Sequence, residues 1–178
     1  MRRSSSQEPP PQLELKIALK SKSFKLGDRV TVEVVATNVE KEELLLVLPC
    51  GRPYFNVVLS DWTGHPIDLA GKQQPVESKR ACKQETKYLE SGDRLVEEIT
   101  LYLYPGADYT TPEKDRDKVP DDKHKTFLLQ ASTRSLTVDQ LGQLKAADAQ
   151  VVTKKLEKPA FMLREVRRSG FVEIEIDR

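Results

Sequence analysis

The sequence predicts an all-β fold in which antiparallel sheets pack face to face, with one short helix inserted. Three observations carry this. From Phe24 to Asn38 a tight turn at Gly27-Asp28 launches an alternating run, with Val30, Val32 and Val34 on one side and Thr31, Glu33 and Val35 on the other. A period of two is the mark of a strand with one dry face. The same design recurs from Tyr88 to Leu95, where Gly92-Asp93-Arg94 repeats Gly27-Asp28-Arg29. Short strand-like runs then follow one another along the chain, separated by Gly, Asn and Pro turns, a spacing that favours stacked sheets.

Taken in order, residues 1–12 contain Pro9-Pro10-Pro11 and little to bury, so they read as a disordered tail. Leu13, Leu15, Ile17 and Leu19 alternate inward as the first strand. Phe24 and Leu26 plug one end of the core before the turn into the second strand, which runs to about Thr37. Leu44 to Leu48 is continuously apolar and short, which predicts a strand buried on both faces. Tyr54 to Leu59 is a strand with Phe55, Val57 and Leu59 inward. Asp61-Trp62-Thr63-Gly64 is a hairpin turn in which Gly64 supplies a positive φ, and His65 to Leu69 is a short return strand placed at an edge by Pro66. Residues 70–86 read as a loop. The strand after Gly92-Asp93, expected to be the longest, puts Leu95, Ile99, Leu101 and Leu103 on one face, interrupted by Glu97. Residues 105–125 are rich in Pro, Asp and Lys and read as an exposed, flexible insertion. Phe127 to Ala131 is a strand. Thr137-Val138-Asp139-Gln140 reads as a capping box that opens a helix over 138–149, with Val138, Leu141 and Leu144 as its apolar stripe. Val151 to Thr153 is a short strand, 160–166 leans to strand, and Val172, Ile174 and Ile176 point inward from the C-terminal strand. The whole is an immunoglobulin-like antiparallel β-sandwich: a single domain over 13–178, with its insertion at 105–125 and a short helix near 138–149.

A chain of 178 residues can bury a sizeable core without metals. Its 29 basic and 28 acidic side chains nearly cancel. No long-range field therefore gathers nucleic acid or anionic membrane. No run approaches the ~20 apolar residues of a membrane helix. The expected partner is another protein; neither nucleic acid nor a membrane span is expected, and the oligomeric state is open. Residues 1–12 lack the apolar stretch of a signal peptide. They read as a cytosolic N-terminus or as what remains after a leader is cut.

Cys50 and Cys82 fall in neighbouring loops. A disulfide between them would close a loop worth ~3–4 kcal/mol and imply an exported or periplasmic setting; two unrelated thiols would imply the cytoplasm. Signals for chemistry are sparse. Asp61, His65 and Asp68 around one hairpin have a spacing that could serve as metal ligands, but turn residues are the simpler account. Asp115, Asp117, Asp121 and Asp122 have the charge of a calcium loop, cancelled by Lys114, Arg116 and Lys118. Cys50 with His65 is the sole nucleophile–base pairing, and there is no Gly-x-Ser-x-Gly and no phosphate-binding glycine loop. No catalytic residue, metal or cofactor is therefore expected. The aromatics Tyr54, Trp62, Tyr102, Tyr104 and Tyr109 lie at turns or on an outer face and are the candidate interface anchors. Against that, Trp62 could fold back on its hairpin, and Tyr102 and Tyr104 could be covered by the helix and 151–166.

The run Leu26-Gly27-Asp28-x-Val30-x-Val32-x-Val34, then Asn38, Leu46 to Leu48, Phe55-x-Val57, Asp61-x-x-Gly64 and Leu89-x-x-Gly92-Asp93 resembles a bacterial sandwich module over residues 13–103. It is similar to the intracellular proteinase inhibitor family and to the N-terminal immunoglobulin-like domain of deuterolysin-type metalloproteases. Both are non-catalytic, so the resemblance implies a non-enzymatic binding module. The alternative it implies is a protease inhibitor or prodomain-like domain that inserts a loop, 49–54 or 105–125, into an active-site cleft. No His-Glu-x-x-His is present, and the chain after residue 105 matches neither pattern.

Overall fold

A computed structural model describes residues 12–48, 53–67, 69, 85–143 and 161–178. The fold is all-β, with ten strands and two very short helices among those residues. β1 (Leu13–Leu19), β3 (Arg29–Asn38) and β7 (Arg94–Tyr102) form an antiparallel sheet in the order β1-β3-β7. A four-stranded sheet runs β2-β10-β8-β5, from β2 (Ser23–Lys25), β10 (Val172–Asp177), β8 (Thr126–Thr133) and β5 (Phe55–Asp61). In it, β2 lies parallel to β10 and the other pairs are antiparallel. A small third sheet, β6-β4-β9, joins β6 (Glu85–Leu89), β4 (Leu44–Leu48) and β9 (Phe161–Met162).

The alternation read from the sequence is what builds the core. Val30, Val32 and Val34 from β3, Phe55, Val57 and Leu59 from β5, Phe127, Leu129 and Ala131 from β8, and Ile174 and Ile176 from β10 meet in one continuous cluster. β4 is buried along its whole length for a specific reason. Leu44, Leu46 and Leu48 enter that cluster, while Leu45 and Val47 face a second, smaller one with Tyr88, Leu136 and Met162. Glu97, the charged interruption on the inward face of β7, is bonded: its Oε2 accepts from the backbone N–H groups of Tyr54 at 2.7 Å and Phe55 at 3.3 Å. It thereby ties β7 to the start of β5.

The two Gly-Asp turns are built alike. Gly27 and Gly92 hold φ of 91° and 81°. Asp28 Oδ2 accepts from the Lys25 N–H at 2.8 Å, and Asp93 Oδ2 from the Glu90 N–H at 3.1 Å. Gly27 N–H donates to Leu103 O and Leu103 N–H to Asp28 O; Gly92 N–H donates to Asn38 O and Asn38 N–H to Asp93 O. Each turn thus closes one end of the β3–β7 pair in the same way, a local two-fold relation. The capping box forms as well, with Gln140 N–H on Thr137 Oγ1 at 3.3 Å and Thr137 N–H on Gln140 Oε1 at 2.9 Å.

Several expectations are corrected. Gln12 belongs to the fold: it is buried, donates to Met162 O and accepts from the Arg164 N–H. Among the described residues the return segment makes one bridge to β5, Ser60 to Pro66, flanked by Asp61 N–H on His65 O and Ile67 N–H on Leu59 O. β3, at 10 residues, is longer than β7, at 9. Segment 105–125 was expected to be an exposed, flexible insertion, and most of its residues are exposed. It contains α1 (Glu113–Arg116) and a 3₁₀ turn (Asp121–Lys123), and it buries Tyr109, Thr111, Asp115 and Val119. α2 (Val138–Gly142) begins where the capping box requires, but Val138 is exposed and does not line an apolar stripe. Leu144, the rest of the expected helix and the strand at 151–153 lie outside the described residues.

Candidate functional site

The expected interface aromatics separate into three groups. Tyr54 and Tyr109 are corrected: each is only 4% exposed. Tyr54 is held inside by its hydroxyl, which donates to Glu85 Oε1 at 2.6 Å. Tyr109 packs edge-on against Phe127 at 5.9 Å, and burial, reinforced by nearby Tyr102, pushes its hydroxyl above the usual phenol range. Trp62 is partly buried, with the Lys123 ammonium 4.5 Å above its ring. Tyr102 is at the margin of exposure, at 36%, and its ring tilts against that of Tyr104 at 6.1 Å. Cys50, Cys82 and Asp68 lie outside the described residues.

The Asp61–His65 hairpin meets segment 105–125. Asp61 Oδ1 accepts from the Thr63 N–H at 2.8 Å, the Thr63 hydroxyl at 2.6 Å and the His65 N–H at 3.0 Å, which makes it the clasp of the turn. His65 Nδ1 stands 2.5 Å from Thr63 Oγ1, and Nε2 stands 3.5 Å from Asp115 Oδ2. Asp115 is buried, and the Lys118 ammonium, bonded to Oδ1 at 2.8 Å, holds its carboxyl below the usual range. The Thr63 hydroxyl proton is directed to Asp61, so the imidazole is not poised to remove it from a nucleophile. Asp61 and Asp115 lie on opposite ring nitrogens, so they do not converge on one ion with His65. Among the described residues no group of three or more His, Cys, Asp or Glu side chains is placed to hold a metal. The cluster is a staple between two surface segments.

A different surface has the features of a binding site: the outer face of the β2-β10-β8-β5 sheet. Strand pairing sets its rows. Val58 lies opposite Gln130, Asn56 opposite Ser132, and Ser60 opposite Leu128, which faces Glu173 on the other side. Phe171, one residue before β10, is out of step with the inward Ile174 and Ile176 and is 59% exposed; Val58 is 41% exposed. Continuing the β8–β10 register by one residue sets Phe171 opposite Gln130, in one row with Val58. Arg168 bridges to Ser132, whereas Val172 pairs with Leu129. Four steps on one strand therefore match three on the other, a β-bulge at 168–172. The Ser169 hydroxyl fills the gap in the ladder by accepting from the Ala131 N–H at 2.9 Å.

This bulge brings Arg168 onto the same face as Ser132, and Arg134, two residues beyond Ser132, shares that face by alternation. Arg134 is steadied by donating to Pro53 O at 2.7 Å. At the opposite end of the face Lys123 stands between Glu173, at 3.7 Å, and the Trp62 ring. The sequence contained the parity of Phe171, since Val172, Ile174 and Ile176 fix which way it points. It did not contain the bulge, and so Arg168 and Arg134 could not be grouped.

No protein-family model matches the chain, and no curated protein matches it. Among solved structures, the chain is similar to part of the alkylpurine DNA glycosylase AlkC from Pseudomonas fluorescens, bound to DNA containing an abasic site analog, with a TM-score of 0.40, 12% identity, and coverage of 94% of this chain and 31% of that one. It is also similar to part of a beta-glucosidase from Listeria innocua, in complexes with isofagomine and with gluconolactone, each with a TM-score of 0.40, 16% identity, and coverage of 92% of this chain and 16% of that one. This chain therefore spans less than a third of the length of either protein.

Proposed function

We propose that the chain is a non-enzymatic immunoglobulin-like module that binds another protein through the outer face of its four-stranded sheet. The topology supports the frame. If β4, β6 and β9 are set aside as an added sheet, the remaining strands divide as β1, β3 and β7 against β2, β5, β8 and β10. This division is similar to that of an immunoglobulin-like sandwich, first, second, fourth and fifth strands against third, sixth and seventh, with no counterpart of the fourth strand in the β1-β3-β7 sheet. The first stretch of chain is itself shared, with β1 in one sheet and β2 beside the last strand in the other.

The single observation that carries the functional reading is Phe171, 59% exposed on a sheet face beside exposed Val58. A large aromatic held on a rigid sheet loses little conformational entropy when it is covered, and such anchors dominate protein interfaces. The inhibitor reading is kept as the alternative. Loop 105–125 anchors Tyr109, Thr111, Asp115 and Val119 in the fold, while most of its other residues are exposed.

A photo-crosslinking amino acid at position 171 tests the proposal, with position 33 on the outer face of the other sheet as control. In extract of the source cells, position 171 is expected to give a discrete adduct with another protein and position 33 none. Equal labelling at both, or none at either, would count against the proposal. Inhibition of a protease panel at micromolar protein would favour the inhibitor reading instead.

A further inference from the structure

We infer that the partner of this face is an acidic segment, one that sets carboxylates beside an apolar side chain. The inference rests on the protein-binding reading above and adds the chemistry of the partner. Its basis is a pair of arginines without ion pairs at one end of the face, the end away from the exposed Glu173 and Glu175 of β10. Other arginines near this end are matched: Arg164 pairs with Glu40 at 3.0 Å, and Arg167 pairs with Glu165. At the far end Lys123 pairs with Glu173. Arg134 and Arg168 form no ion pair with any described carboxylate.

Their setting is suited to a carboxylate. Arg168 and Ser132 are directly opposed, and Asn56 is opposite Ser132 on the next strand. A guanidinium, a hydroxyl and a carboxamide thus stand in one cross-strand row, with strands about 4.8 Å apart. Arg134 follows Ser132 by two residues, about 7 Å along the same face. Two guanidinium groups in the neighbourhood of a hydroxyl and a carboxamide supply donors of the kind that bind a carboxylate. The adjoining row, Val58, Gln130 and Phe171, offers apolar contact. A ligand crossing both rows therefore meets cations first and an aromatic next. An apolar centre beside unpaired cations selects a partner of opposite charge, because an uncharged one would desolvate the arginines without compensation.

The test selects binders from a phage-displayed random peptide library on the full chain. Selected peptides are then measured against the wild type, Arg168→Glu, the double variant Arg134→Glu/Arg168→Glu, and Phe171→Ser. The Arg168 side chain has no described bond to lose, so Arg168→Glu keeps the test meaningful if the double variant folds poorly. The inference expects peptides rich in Asp or Glu next to an aromatic or aliphatic residue. Their affinity should fall about tenfold or more on charge reversal and on Phe171→Ser, and should weaken between ~50 and ~300 mM salt. Peptides that depend on Phe171 but ignore both charge reversals would overturn the acidic partner and leave the protein-binding reading standing. Peptides indifferent to Phe171→Ser as well would overturn both. A Phe171-dependent dimer in sedimentation would also overturn the inference, by making a second copy of the chain the occupant.

Discussion

Asn38 is almost fully enclosed, yet both ends of its side-chain amide are bonded. Its Nδ2 donates to the carbonyls of Glu42, Leu89 and Glu90, at 2.9, 2.9 and 3.1 Å, and its Oδ1 accepts from the Glu40 N–H at 2.9 Å. One side chain thus joins the end of β3 to the approach to β7. Asn38→Ala is expected to cost about 2–3 kcal/mol, the penalty for leaving such groups unpaired, read as a lower urea midpoint with an unchanged slope. Asp115 offers a second test at this scale. Its carboxyl is held below the usual range, first by the hydrogen bond from Lys118 and then by the nearby charges of Lys118 and His65 against the opposing effect of burial. A depressed carboxyl adds stability above its unfolded value, near ~4, and that stability is lost as pH falls through the folded value. Asp115→Asn should therefore flatten the fall in Tm below about pH 4. Superimposable Tm–pH curves for the two proteins would rule out this role. Asn38 was legible only as a turn residue. Its bonding spans 52 positions of sequence, to Glu90, and no local pattern records that.

At the scale of elements, the Gly27-Asp28 and Gly92-Asp93 turns are the same device used twice, at opposite ends of the β3–β7 pair. A Cβ at either glycine would meet open space, so only the backbone conformation resists substitution. Gly27→Ala and Gly92→Ala are each expected to cost about 1–2 kcal/mol. The two costs should add in the double variant, since the turns share no partner. Urea unfolding of the singles and the double checks this, and a neutral alanine at either site would contradict it. The strands and these turns were legible because alternation and positive-φ glycines are local signals. The inward phase of Glu97 was also visible, but its purpose was not, since the Tyr54 and Phe55 amides it accepts from belong to a distant strand. Segment 105–125 was legible only in part, for a related reason. Its charged composition reads as loop, while the few residues that anchor it, Tyr109, Asp115 and Val119, are buried by contacts the sequence does not order.

For the whole molecule, aromatic residues identified from sequence as exposed anchors proved to be core at Tyr54 and Tyr109, while the more exposed Phe171 carries the proposed face. The distinction lies in phase: Phe171, just before β10, is out of step with the inward Ile174 and Ile176, whereas Tyr54 and Tyr109 belong to the main core cluster. No helix among the described residues is long and apolar enough to cross a membrane. The central claim is that the chain binds a protein through this face, and retention of that partner by immobilised wild type, Phe171→Ser and Tyr102→Ser tests it most directly. Both substitutions lie at exposed positions, so the stabilities obtained from urea unfolding should stay within about 0.5 kcal/mol of the wild type. Phe171→Ser is predicted to lower retention about tenfold or more, and Tyr102→Ser to leave it unchanged. Full retention by Phe171→Ser, with loss confined to Tyr102→Ser, would contradict the account and move the binding site to the opposite sheet.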